Sequence, residues 1–499
     1  MIGAISILFA QTNDAADCIN YNSLQKLIHI SCKTIHLNDI YTSIKNTSIL
    51  DVENNTGIND STSKGKVWIL SAGIIIEKKG ELVIDSTDTT WLKIVPTPTL
   101  QKNGQTGLTG IENDDNDTND DDQDVDAISY HIVDTNAKEN NSNNSKINAQ
   151  KNIIVNKNNG DSPNGIHVFG SLRIDSVKIT SWDPEKKEVI TFGLGKRPGE
   201  ELTKSRYDTV VPRPFIRVSN EATGMTNITN SEIAYLGYSC SRCSGISYYG
   251  GIGSTVKGNN IHHLLKGFYS KGMGPMVVEN NTIHDNYLYG IDPHTGTHDM
   301  IIRNNKVYEN NASAIICSKH CYDLLIEGNE VYNNGGANRG IALSINTTHS
   351  TVRNNYVHDQ ISCIGSNRGS NYNTIENNLF SNCKMGINLL DTSNNIINNN
   401  NISGARDAIV LSNSTNNVFH NKIENSTNGI VLLNSSTANQ TNVDKSDKPE
   451  QVNNAPFLDN LTSVNQMTGV KNPVVVRQTH PIIQNESQNS KHGNLKSRN

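Results

Sequence analysis

A chain of 499 residues has room for two or three ordinary domains or for one elongated repeat. Hydrophobic residues at 35% and aromatics at 5% are thin for a conventional core of that size, whereas a solenoid buries each turn against the next and needs fewer large side chains. A formal charge of −6 excludes the bulk basic character of a nucleic-acid binder, so an anionic partner has to be met by a local basic cluster.

In chain order, Met1–Ala10 is apolar but short and lacks a positive flank, and reads as a weak or truncated secretion signal. No later stretch approaches the roughly 20 apolar residues that cross a bilayer, so no membrane span is expected. Residues 1–65 form an N-terminal segment and candidate cap, polar from residue 11 on, with one strand expected at Thr34–Leu37. From Val67 to Asp85, and again at Trp91–Val95, short β-branched runs separated by Gly mark stacked strands, so 66–96 is read as the first turns of a coil. Residues 97–163 carry the acidic run Glu112–Asp126. That run lacks the EF-hand Gly and closing Glu, so it reads as a disordered acidic insertion, with calcium kept only as a candidate ion. Structure is expected again over 164–435, and 436–499 reads as a disordered polar tail.

Within 164–435 the repeat is explicit. Asn followed two residues later by Ile, Val or Phe recurs at Asn259, Asn281, Asn305, Asn329, Asn355, Asn378, Asn400 and Asn421. Successive members lie 22, 24, 24, 26, 23, 22 and 21 residues apart. A second strand follows each Asn, marked by a small residue and then an apolar one, as in Gly267-Phe268, Gly290-Ile291, Ala314-Ile315, Gly340-Ile341 and Gly386-Ile387. This period without a 3.6-residue rhythm predicts an all-β parallel β-helix, in which stacked Asn amides can hydrogen-bond along the coil.

Eight cysteines (Cys18, Cys32, Cys240, Cys243, Cys317, Cys321, Cys363 and Cys383) permit disulfides, and buried thiols serve equally well. No second CxxC or histidine pair completes a zinc site with Cys240 and Cys243. His294, His298, His320 and the pair His262-His263 match no standard metal spacing, so no metal site is expected.

Equivalent positions of successive turns stack at roughly 4.8 Å, so counting from the small residue identifies neighbours. Four positions beyond Gly290 is His294; the same step from Gly267 gives Lys271, and from Ala314 gives Ser318, with Lys319 next. Five beyond Cys363 is Arg368. His294 is therefore expected between turns carrying Lys271 and Lys319, with Arg368 further along. With Ile291 inward, Asp292 and His294 face outward by parity, while Tyr289 shares the parity of Ile291 and fits an inward aromatic as well. Blander readings stand beside these. A lone surface His is usually only solvated, Asp292 before Pro293 fits an Asx-type corner, and Lys271 and Lys319 fit ordinary solubilising roles.

The segment Tyr289-Gly-Ile-Asp-Pro-His294, led in by His284-Asp285-Asn286 and followed by Met300–Asn305, resembles the mannuronan C5-epimerases of the alginate pathway, above all the periplasmic type built on a right-handed parallel β-helix. Ala234–Tyr238, Ser244–Ser247, Gly267–Tyr269 and Ala314–Lys319 support it, and the similarity runs from about Lys66 to Ser435 around the insertion. The resemblance implies His294 as proton-transfer residue, with Asp292 and Tyr289 in the same motif. It also implies Lys319 where the family has an arginine that neutralises the substrate carboxylate. Lysine keeps the charge but loses the bidentate fork. The polar and charged residues that usually follow the motif are replaced by Thr295-Gly296-Thr297.

The function expected is C5 epimerisation of mannuronate within a polysaccharide, by H5 abstraction and reprotonation from the opposite face. His294, Asp292, Tyr289 and Lys319 are assigned to catalysis, and Lys271, Arg368, Ser318 and Arg339 to substrate binding. The partner expected is an anionic uronic-acid polysaccharide, with no nucleic acid, no cofactor and a monomeric, secreted or cell-surface (periplasmic-like) chain. A polysaccharide lyase shares the abstraction step and then expels O4; a non-catalytic glycan-binding or structural coil is the third reading.

Overall fold

The structure is a computed structural model and describes residues 18–53, 65–96, 165–191, 213–238, 242–335, 339–434, 436–439 and 461–477. Among them, strands fall into three long sheets, sheet I of 15 strands, sheet II of 13 and sheet III of 14. Each coil gives one short strand to each sheet in turn: Lys266–Lys271, Met276–Glu279 and Thr282–His284, then Ile291–His294 back in sheet I one rung on. Nearly all pairings are parallel and in step, as a parallel β-helix requires. Short strands broken by Gly and Asn at left-handed corners allow this, because a longer β-branched run could not turn three times in about 23 residues.

Ile291, Ile315, Ile341, Ile364, Ile387, Ile409 and Ile430 stack inward from sheet I, all fully buried. At the corner between sheets II and III the Asn column forms the expected ladder. Asn305 Nδ2 donates to Asn329 Oδ1 at 3.0 Å, and Asn329 Nδ2 to Asn355 Oδ1 at 2.9 Å. Each amide also caps a backbone carbonyl, as Asn329 does for Ile302 at 3.0 Å. These corners turn away from both sheets, so without the side chains their backbone groups would be buried and unbonded.

The ends differ from the sequence expectation. The coil starts before residue 66: Leu27–Ile30 already pairs in parallel with Gly73–Ile76, and Ile35–His36 with Leu82–Val83. The helix Leu37–Ile44 follows within this stretch, its N-terminal turn tied by Asn38 N–H donating to Asp88 Oδ2 at 2.8 Å. Ile19–Asn22 and Leu50–Val52 pair antiparallel with their neighbours, unlike the other described strands. At the other end the tail expected to be disordered carries regular strands. Thr437–Asn439, Gln466–Thr468 and Asn472–Arg477 add a further rung to all three sheets. Asn465 continues the ladder from Asn421 across a separation of 44 residues, so the period was hidden by an insertion rather than lost. The acidic insertion, the signal-like start and Cys240 lie outside the described residues.

The outer face of sheet II carries a column of alternating charge, Lys257, Glu279, Arg303, Glu327, Arg353 and Glu376. Glu279 takes Lys257 at 2.9 Å and Arg303 at 2.7 Å, and those hydrogen bonds hold its carboxyl below the usual 4.5. A depressed folded pKa stabilises the fold fully above about pH 4.5, and that contribution is lost as pH falls through the folded value. We therefore expect the thermal midpoint of Glu279→Gln to lie below wild type at pH 7 and to converge with it in acid. A gap that persists unchanged at pH 3 would assign the effect to packing.

Candidate active site on sheet I

The outer face of sheet I gathers the predicted residues. In register across the rungs, Lys271 lies beside His294, His294 beside Ser318, and Ser318 beside Ser344. One pleat over, Arg217, Ser247, Tyr269 and Asp292 form a second outward column. Tyr289 precedes the strand Ile291–His294 and sits next to Lys266, half-buried, with Lys266 Nζ 5.5 Å from its ring centre. The alternation that suggested an inward ring does not carry across the bend at Gly290. Lys319 and Arg368 occupy equivalent places in the turns that leave this sheet, both with left-handed backbones (φ 59° and 49°). Arg339 opens the strand Arg339–Ser344 on the same face. All eight assigned residues thus lie on one sheet or in the turns that enter or leave it.

The recess is deeper than parity alone indicates. Asp292 is fully buried and His294 only 6% exposed, so both form a floor rather than a rim. Asp292 Oδ2 accepts from Lys266 Nζ at 2.7 Å, so the partly exposed ammonium compensates the charge of the buried carboxylate. His294 Nδ1 is 2.6 Å from Thr295 Oγ1, and its ring tilts over Tyr269 at 5.8 Å. Lys266 Nζ also stands 4.4 Å from the Tyr269 ring centre. Ser318 Oγ and Ser247 Oγ are buried and have no hydrogen-bond partner among the described residues.

Three of these groups escaped the sequence reading. Tyr269, two after Gly267, is an outward position that the counting would have found had it been carried through, whereas Lys266, one before Gly267, shares the parity of inward Phe268 and, like Tyr289, lies beyond what alternation can place. Thr295 belongs to the stretch noted only as a departure from the family motif, yet its hydroxyl lies 2.6 Å from the imidazole Nδ1.

Beneath the floor, Cys317 and Cys321 are buried thiols. Burial, reinforced by the Asp292 charge, pushes Cys321 up to about 12, so both are inert. Cys18–Cys32 and Cys363–Cys383 are disulfides, and Cys243 is also disulfide-bonded, which removes it as a zinc ligand. His262 and His263 lie at sheet III, in a run of rings through His284, Tyr308, Tyr332 and His358, so they do not join His294. One described group could converge on an ion: His36, Asp85 and Asp88 at the N-terminal end. There Arg173 binds Asp85 at 2.7 Å and Asp88 accepts the helix N–H of Asn38, so the carboxylates already have cationic and backbone partners.

Comparison with known proteins agrees with the fold. The family model described as "Right handed beta helix region" matches residues 213–343 and 316–446. Over 141 residues the chain is 31% identical to a mannuronan C5-epimerase of Pseudomonas aeruginosa, a match covering 26% of this chain and 23% of that protein. A mannuronan C5-epimerase of Pseudomonas fluorescens is 28% identical over 141 residues, covering 26% and 24%. The matches thus span under a quarter of the length of these curated relatives. The crystal structure of the periplasmic alginate epimerase AlgG superposes over 91% of this chain and 85% of that one, with a TM-score of 0.50 at 16% identity. A mutant of that enzyme gives 0.51, also at 16% identity. At such identity the likeness is one of fold, a right-handed parallel β-helix.

Proposed function

We propose that the chain is a C5-epimerase of polymeric mannuronate, converting mannuronate to guluronate residues within an anionic polysaccharide. The observation that carries this reading is the register of sheet I: an imidazole on a recessed floor, Lys271 beside it on one rung, and Lys319 in the turn that follows Ser318 on the next. The mannuronan C5-epimerases that match part of the chain support the same reaction class.

The chemistry is redox-neutral and calls for no cofactor. H5 lies alpha to a carboxylate, and its removal builds charge on the carboxylate oxygens. Lys319, with Lys271 nearby, stabilises that charge in the enolate-like intermediate. Nδ1 of His294 is engaged by the Thr295 hydroxyl, and in the tautomer that carries its proton on Nδ1 the lone pair on Nε2 takes the C5 proton. The C5–H electron pair is held by the carboxylate until a proton arrives on the opposite face, from the Tyr289 phenol or from water, giving the inverted centre. Asp292 keeps Lys266 and the floor in place. Ser318 Oγ, buried and lacking a protein partner among the described residues, is a donor for a sugar hydroxyl. The disulfides fit an oxidising, secreted or periplasmic-like compartment.

Proton NMR of polymannuronate incubated with the protein in heavy water tests the reading. Guluronate signals with deuterium at C5 are expected. Unsaturated ends absorbing in the ultraviolet, without guluronate, would make the protein a lyase, and neither product would leave a glycan-binding coil. In the same assay Lys319→Ala is expected to lower turnover by about 10²-fold or more, with the thermal midpoint within a degree or two of wild type. A large drop in the midpoint would mark Lys319 as a structural residue of its turn.

A further inference from the structure

Gly365 is a mid-strand glycine in Ser362–Asn367, on the outward column that elsewhere carries Tyr269, Asp292, Ala342 and Asn388. Glycine in a strand interior weakens the strand and calls for a reason. Backbone conformation is not that reason, because Gly365 is absent from the glycines with positive φ. Space is. A Cβ placed on Gly365 would fall on Cδ and Nε of Arg339, with Cγ at 2.9 Å, and these three atoms are its nearest neighbours. The Arg339 side chain therefore leaves its own rung, where it is in register with Ser362, and lies flat across the bare backbone of the next.

This places a guanidinium on the groove floor three rungs from the Asp292 rung, roughly 14 Å along the axis. In the adjoining outward column Ser344 Oγ donates to Asn367 Oδ1 at 2.7 Å, and Arg368 follows in the turn. We propose that Arg339, seated on Gly365, forms a second carboxylate subsite that binds a uronate residue about three positions along the polymer from the one that reacts. A guanidinium pressed against backbone keeps its planar fork in one orientation, which suits a carboxylate and loses less freedom on binding than a mobile lysine. Gly365 is then a positioning residue that acts through Arg339. The inference rests on the epimerase reading for its choice of polymer, but not for its binding geometry.

The test is Gly365→Ala, measured with mannuronate oligomers. The three atoms nearest the new methyl belong to one flexible side chain rather than to backbone, so that side chain can swing aside and the thermal midpoint should hold. Affinity for a mannuronate octamer should fall about tenfold, while affinity for a trimer, too short to span both places, should not change. In turnover assays KM for polymer should rise with kcat unaltered. Arg339→Ala should bind the octamer as weakly as Gly365→Ala, and the double variant should be no weaker than either, because one change acts through the other. Octamer binding equal to wild type in Gly365→Ala, additive losses in the double variant, or a large fall in thermal midpoint would each overturn the proposal. If wild type binds the octamer but makes no guluronate, the epimerase reading fails, and the binding comparison still decides the subsite.

Discussion

His294→Gln should lower guluronate formation by about 10²–10⁴-fold, the range a positioned general base contributes, and leave the thermal midpoint nearly unchanged. Glutamine approximates the imidazole in volume and can still meet Thr295 Oγ1, but it cannot accept a proton near neutral pH. The residue is on the outward side of its strand, with Ile291 and Pro293 as its inward neighbours, so the core does not depend on the ring. The rate is read from the growth of guluronate signals, and polymer binding is measured beside it. Binding retained with turnover lost marks a proton carrier. Turnover within a fewfold of wild type would remove His294 from the reaction and leave the groove as a binding surface. Thr295→Val sharpens the comparison: it removes the hydroxyl that meets Nδ1 and orients the ring, and a loss of about tenfold is expected.

Asn329→Ala should cost about 3–5 kcal/mol of stability, far more than the loss of one surface amide. Asn329 is 1% exposed. Its Oδ1 accepts from Asn305 N–H at 2.9 Å and from Asn305 Nδ2 at 3.0 Å, and its Nδ2 donates to Asn355 Oδ1 and to Ile302 O. Alanine removes the side-chain partner of the Asn305 N–H and of the Ile302 carbonyl, and takes one of two bonds from Asn305 Nδ2, which keeps Val278 O, and from Asn355 Oδ1, which keeps the backbone N–H of residue 329. Denaturant unfolding with an unchanged m-value measures the loss. A cost below about 1 kcal/mol would mean that water or a shifted backbone replaces the amide, and that the column is not what fixes the corner. Asn329→Asp should be no better, since a carboxylate cannot donate and its charge would be buried beside two carbonyl oxygens.

The two expectations differ in how they could be read from sequence. The ladder was legible because Asn recurs at a nearly constant interval and the amide is the side chain that can both donate and accept along a stack. The inward isoleucines were legible for the same reason. Once the small residue of each turn was taken as origin, counting brought Lys271, His294 and Ser318 onto adjacent rungs. It failed where the count was not carried through, at Tyr269, and where alternation does not hold ahead of the small residue, at Lys266 and Tyr289. Depth was not legible at all. Parity says which way Asp292 points, but not that it is fully buried beneath a lysine from the previous rung, because that follows from side-chain lengths on neighbouring coils. The close approach of Arg339 to Gly365 is likewise invisible in one dimension, since the two lie 26 positions apart and on different pleats.

The step from Asn421 to Asn465 shows how such a coil can grow. It is 44 residues long where the preceding step is 21, yet the amide stack crosses it with Nδ2 to Oδ1 at 3.0 Å, the same as before. Loop-closure entropy rises only with the logarithm of length, so doubling a connection costs about 0.6 kcal/mol. One retained amide bond is worth as much or more. Evolution can therefore lengthen any corner of this spiral and keep every later rung in phase, which leaves the corners free to diversify while the spacing of the groove stays fixed.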